Sequence, residues 1–224
     1  MNNFLIKCLG IAFFFMFASA SANTRMTQEL DLGNKSKSSI EIDSETESQE
    51  VNLNNNPKVE MITSSGVILI ELFPEQAPIT VRNFLKYVES GFYNNTIFHR
   101  VIPNLLIQGG AYTPNLQLKK DNSFIASEAN NGLSNKRGTI AAARRANDSE
   151  SATSQFFFNV VDNPQFDFST SNNMLGKGFT VFGKIIKGQE IVDAMRLTAT
   201  ESKGKLGNYV PKKPIIIQQA RKLD

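Results

Sequence analysis

A mainly β fold, a closed antiparallel barrel covered by two helices, is what three features of this chain predict. Eight short stretches rich in β-branched and aromatic residues recur between residues 59 and 219. Only two segments carry a helical apolar period, and strands do not alternate with helices as they do in parallel sheets.

Val59 to Thr63 and Val67 to Phe73 are apolar and β-branched, and Ser64-Ser65-Gly66 between them reads as a hairpin turn. A helix follows. Ala77-Pro78 opens it with proline near the first turn, Val81, Phe84, Leu85 and Val88 recur at helical spacing, and Gly91 closes it. Strands are expected at Thr96 to Ile102, Leu105 to Gln108, Gly138 to Ala143, Gln155 to Val161, Thr180 to Ile186 and Ile215 to Gln219. A second helix, Glu190 to Leu197, is expected to place Ile191, Ala194 and Met195 on one face.

The chain is 41% hydrophobic and 20% charged, enough apolar mass for a packed soluble core. Seventeen Phe against four Tyr and no Trp means that most aromatic rings need no buried hydrogen-bond partner. Bulky Phe and Ile facing inward fill a small barrel, which argues against a lipocalin-like carrier with ligand in its lumen.

Residues 1–22 read as a secretory signal peptide: Lys7 without an acid, an apolar run from Cys8 to Phe17, then Ala18-Ser19-Ala20-Ser21-Ala22 in A-x-A spacing. The run is shorter than the roughly 20 residues a membrane span needs, so no stable insertion is expected after cleavage. Cys8 is the sole cysteine, so cleavage after Ala20 or Ala22 leaves no disulfide, thiol nucleophile or cysteine-bound metal. Residues 23–57 read as a disordered acidic linker with seven acids against three bases. Residues 58–224 form the folded domain, with 20 basic and 14 acidic residues. No basic run is dense enough to argue for nucleic-acid binding.

Several chemistries are poorly supplied. His99 is the only histidine, which excludes a histidine-rich metal site and leaves a Ser-His-Asp triad dependent on one residue. No G-x-S-x-G elbow and no phosphate-binding G-x-x-x-x-G-K-[ST] loop occurs, and Gly176-Lys177-Gly178 lacks the third glycine and the strand of a dinucleotide site. No metal or cofactor is expected. Along Ile97-Phe98-His99-Arg100-Val101-Ile102, strand alternation puts His99 and Arg100 on opposite faces. An outward Arg100 then lies beside Leu105, Leu106 and Gln108, a cation and an amide among apolar side chains.

Phe98-His99-Arg100-Val101-Ile102-Pro103, Leu106-Ile107-Gln108-Gly109-Gly110, Ser154-Gln155-Phe156-Phe157 and Val181-Phe182-Gly183-Lys184 together resemble a cyclophilin. Gly91 to Thr96, Glu128 to Leu133 and Val160 to Asn163 resemble its bacterial branch. The resemblance runs from about Val59 to the C-terminus and implies an eight-stranded antiparallel barrel capped by two helices, with a proline-binding groove on its outer surface.

By that resemblance Arg100 matches the essential arginine and Gln108 and Gln155 the glutamines that hold substrate backbone. Phe157 matches the floor of the proline pocket, and Ala143 and Arg144 the segment that pairs with bound peptide. Leu105 and Leu106 stand where Phe and Met are usual, Phe166 at a usual Leu, Gln165 at a usual Trp or Phe, and Phe179 at a usual His or Tyr. The implied activity is isomerisation of X-Pro bonds in folding exported polypeptides, in the periplasm or outside the cell, by a monomer. The alternative is a proline-peptide-binding or chaperone module with little catalysis, since Leu105 and Gln165 alter the pocket.

Overall fold

The computed structural model describes residues 56–120, 123–170 and 176–224. The expected signal peptide, and all but the last two residues of the expected linker, lie outside the described residues.

Strands β1 (Lys58–Thr63), β2 (Gly66–Leu72), β3 (Thr96–Ile102), β4 (Leu106–Tyr112), β5 (Thr139–Ala142), β6 (Phe156–Asn159), β7 (Val181–Lys187) and β10 (Ile215–Leu223) close into one barrel. Their order is β1-β10-β3-β4-β6-β5-β7-β2, and every pairing is antiparallel. The β1–β2 hairpin pairs Thr63 with Gly66 across Ser64-Ser65, as the turn residues predict, with Gly66 at φ +136°. A two-stranded ribbon, β8 (Thr200–Glu201) with β9 (Val210–Pro211), and 3-10 turns at Pro164–Phe166 and Gly204–Leu206 are too short to leave a periodic signal.

The lumen is filled. Phe98, Phe156, Phe158 and Phe182 are at most 1% exposed, and their rings meet one another or Phe84 and Tyr93 at centroid distances of 5.1–6.0 Å. The single polar handle in this group, the Tyr93 hydroxyl, donates to the Ser154 carbonyl at 2.8 Å.

Helix α1 (Pro78–Glu89) buries Val81, Phe84, Tyr87 and Val88 on this core. It ends at Ser90, with Gly91 one position beyond at φ +66°, the left-handed conformation that glycine tolerates best. Helix α2 (Gln189–Met195) buries Val192 and Met195, while Ile191 is half-buried and Ala194 is exposed. The buried face is thus rotated from the expected one: Val192 and Met195 sit three apart, and the small Ala194 contributes too little area to set it.

Helix α1 has no side-chain cap from its own Ala77. Glu128 supplies one from across the fold, its carboxylate accepting the Ile79 N–H (2.9 Å), the Thr80 N–H (2.9 Å) and the Thr80 hydroxyl (2.8 Å). Glu128→Ala is therefore expected to lower stability by about 1–2 kcal/mol in denaturant unfolding. An unchanged midpoint would contradict this capping role.

Candidate active site

Phe98 and Arg100 are two residues apart, so a regular strand would point both side chains the same way. The β3–β4 register prevents this. Phe98 faces Gly109 and Arg100 faces Gln108, so two steps on β3 match one step on β4 and His99 is the extra residue of a bulge. Phe98 stays in the core at 0% exposure, Val101 returns to it, and Arg100 turns out into solvent. Gly109 has no room for a side chain: a Cβ there would lie 2.8 Å from the Phe98 ring and 3.1 Å from the Ile97 carbonyl.

His99, 5% exposed, packs against Tyr112 with ring centroids 4.7 Å apart and ring planes inclined by 59°. Its Nδ1 has no hydrogen-bond partner among the described residues. Burial, and secondarily the neighbouring Arg100 charge, lowers its pKa to about 4.

Outside the barrel, cross-strand pairing continues the site. Gln108 lies opposite Arg100 on one side and Phe157 on the other, and Phe157 lies opposite Ala141 of β5. Arg100 Nη1 approaches Gln108 Oε1 at 3.5 Å, and Gln108 Nε2 donates to Gln155 Oε1 at 2.9 Å. An exposed guanidinium and two amides thus form one polar row. Gln155 precedes β6 rather than opening it, which leaves its side chain half-exposed beside that row.

Next to the row is a second apolar cluster, separate from the lumen: Leu106, Ala141, Ala143, Phe157 and Val181, flanked by Leu105, Leu133, Phe166 and Phe179. Phe157 is its buried base at 2% exposure. Phe166 and Phe179 stand edge-on to it at 5.9 and 5.5 Å and contact each other at 5.0 Å. Leu105 lies in the turn before β4, which runs on through Gly109-Gly110 to Tyr112 instead of ending at Gln108. Arg144 closes the far side, its guanidinium 4.5 Å from the Phe179 ring centroid and its Nε donating to the Gly178 carbonyl at 2.9 Å. The Ala143 N–H donates to the Gln155 carbonyl at 3.0 Å, so Ala143 faces the cluster with its methyl group.

A neighbouring cavity of about 210 Å³ shares Gln108, Ala143, Arg144 and Gln155 with this site and adds Tyr112, Leu118 and Phe124. Leu118 and Phe124 are 61% and 50% exposed, and sequence periodicity gives no reason to single them out. Gln165 is exposed and donates to Asn163 Oδ1 at 3.1 Å. Among the described residues, no three His, Cys, Asp or Glu side chains gather as a metal-ligand set, and no helix is long and apolar enough to cross a membrane.

A filled eight-stranded barrel with two helices and an outward arginine–glutamine row beside an aromatic slot defines a cyclophilin-type protein. The family model described as cyclophilin type peptidyl-prolyl cis-trans isomerase/CLD matches residues 58–222, and the chain belongs to that family. It is 47% identical to peptidyl-prolyl cis-trans isomerase A of Dickeya dadantii over 163 residues, 73% of this chain and 83% of that protein. It is 49% identical to a peptidyl-prolyl cis-trans isomerase of Acinetobacter baylyi over 162 residues, 72% and 83% of the two chains. Among solved structures it resembles a cyclophilin type peptidyl-prolyl cis-trans isomerase of Cryptosporidium parvum, crystallised in the presence of the dipeptide ala-pro. That similarity has a TM-score of 0.62 at 29% identity and covers 75% of this chain and 99% of the other.

Proposed function

We propose that the outer slot binds the proline ring of an X-Pro segment and that Arg100 accelerates rotation about its imide bond. The observation that carries this reading is the adjacency of the exposed Arg100 guanidinium, the Gln108–Gln155 amide pair and the Phe157-based apolar cluster on one outer face.

The chemistry requires no covalent intermediate. Resonance sets the amide rotation barrier at about 18–20 kcal/mol, while cis and trans X-Pro isomers differ by only about 0.5–1 kcal/mol. A surface that binds the twisted amide better than either planar form therefore catalyses both directions. Twisting breaks resonance and leaves a lone pair on the imide nitrogen. The Arg100 guanidinium, a permanent cation with several donors in a planar fork, can donate to it. Gln108 and Gln155 present amide donors and acceptors that hold the flanking peptide backbone, with Ala143 and Arg144 along the same path. Leu105, Leu106, Phe157, Phe166 and Phe179 hold the ring by burial alone.

Substrates are proline-containing unfolded or folding polypeptides. The signal-like pattern of residues 1–22 supports action outside the cytoplasm, in the periplasm or after secretion. Among the described residues the eight barrel strands close on one another and offer no barrel edge to a second copy, which supports a monomer. The test is NMR exchange on a short X-Pro peptide with catalytic amounts of the chain. Accelerated cis–trans exchange supports the isomerase, whereas peptide binding without acceleration turns the reading to a binding or chaperone module.

Gln165 is an exposed polar residue where the family resemblance places a Trp or Phe. Gln165→Trp supplies a large apolar wall and an indole donor, so a cyclosporin-like inhibitor is expected to bind the variant at least tenfold more tightly than the parent in a calorimetric titration. Equal affinities would show that position 165 does not contact the inhibitor.

A further inference from the structure

Three asparagines behind the slot, Asn135, Asn159 and Asn163, are each at most 1% exposed. Buried amides are stable only when hydrogen-bonded, so where these bonds end is informative. Asn159 lies two residues beyond Phe157 on β6, on the same outer face and opposite Leu106. Its Nδ2 donates to Asn135 Oδ1 at 3.1 Å and to the Thr139 hydroxyl at 2.9 Å, and its Oδ1 accepts from Asn163 Nδ2 at 2.7 Å.

Both ends of this chain of amides terminate on backbone carbonyls of slot residues. Asn163 Nδ2 donates to the Leu105 carbonyl at 2.9 Å. Asn135 Nδ2 donates to the Phe166 carbonyl at 3.0 Å and the Phe179 carbonyl at 3.4 Å. Asp167 anchors Asn135 in turn, its Oδ1 accepting the Asn135 backbone N–H at 2.6 Å. Leu105, Phe166 and Phe179 come from three segments outside the barrel strands: the β3–β4 turn, a 3-10 turn and the loop before β7. The β-ladder does not fix their spacing, and the amide relay spans all three.

We propose that Asn135, Asn159 and Asn163 are positioning residues that set the width of the proline slot. Resting on the isomerase reading, this makes them govern how tightly the ring is held, while the Arg100–Gln108–Gln155 row that faces the imide is left intact. Cutting the relay is therefore expected to act on KM rather than kcat.

In the full chain, Asn163→Ala is expected to raise KM for an X-Pro peptide at least fivefold with kcat within twofold of the parent. Val192→Ala, a cavity under α2 away from the slot, serves as the stability control and is expected to change neither. Should Asn163→Ala not fold, peptide titration of the parent followed by NMR decides. The side-chain amide signals of all three asparagines are expected to shift on binding, and unmoved signals under saturating peptide overturn the proposal. A parent that isomerises beside an Asn163→Ala with parental KM overturns this inference alone. A parent that neither isomerises nor binds the peptide overturns the isomerase reading and the inference with it.

Discussion

Arg100→Ala is expected to fold as the parent does and to lose X-Pro isomerase activity by about 10²- to 10³-fold in kcat/KM, on the order of 3–4 kcal/mol of transition-state stabilisation. The side chain is exposed on the outer face of β3 and its hydrogen-bonding contact is the long 3.5 Å approach to Gln108, so truncation removes little packing. The loss should fall mainly on kcat, because the lone pair proposed to accept from Arg100 exists only in the twisted amide. Arg100→Lys is expected to recover little, since a point charge lacks the planar fork. Circular dichroism and a denaturant midpoint matching the parent, together with an exchange assay, separate lost chemistry from lost fold. A folded Arg100→Ala with parental activity would refute the role.

Acid is expected to destabilise the domain through His99 by on the order of 3 kcal/mol, at about 1.4 kcal/mol for each pH unit that separates folded from unfolded titration. The unfolded chain protonates this imidazole near pH 6.5, whereas the folded chain resists until about pH 4 because the ring is buried and lies beside the Arg100 cation. Between those values the unfolded state holds the extra proton. His99 therefore costs no stability above about pH 6.5, and stability is lost as pH falls from 6.5 towards 4, then levels off. Carboxylates titrate in the same range, so the comparison is with His99→Gln, whose unfolding free energy should fall less between about pH 7 and pH 4.5. Parallel pH profiles for parent and variant would contradict the assignment.

The eight barrel strands and the first helix were legible because their signals are local. β-branched alternation and the 81, 84, 85, 88 period need no knowledge of what they pack on. Features that depend on distant residues were not. The extra residue at His99 is invisible to a period-two template, although it is what reconciles a core Phe98 with an outward Arg100. The cap of α1 comes from Glu128, 49 residues from Ile79, where no capping motif can register it. Asn135 and Asn163 resemble ordinary loop and turn residues, and Asn159 a single polar residue on an expected strand, until the structure joins them.

The candidate site divides in the same way. Alternation and proximity in sequence suggested an outward Arg100 beside Leu105, Leu106 and Gln108. Nothing local tied these to Gln155 or to Phe157, Phe166 and Phe179, which came only with the family resemblance. The barrel brings them together through the β3–β4–β6–β5 pairings, and it adds the neighbouring Leu118 and Phe124 cavity that composition did not mark.

Intermolecular NOEs between a bound X-Pro peptide and the chain test most directly where the imide lies. The proline Hγ and Hδ protons are predicted to contact the rings of Phe157, Phe166 and Phe179, with the Arg100 guanidinium facing the imide nitrogen. Proline contacts confined to Leu118, Phe124 and Tyr112 would put the ring in the adjacent cavity, out of position for Arg100, and would contradict the account.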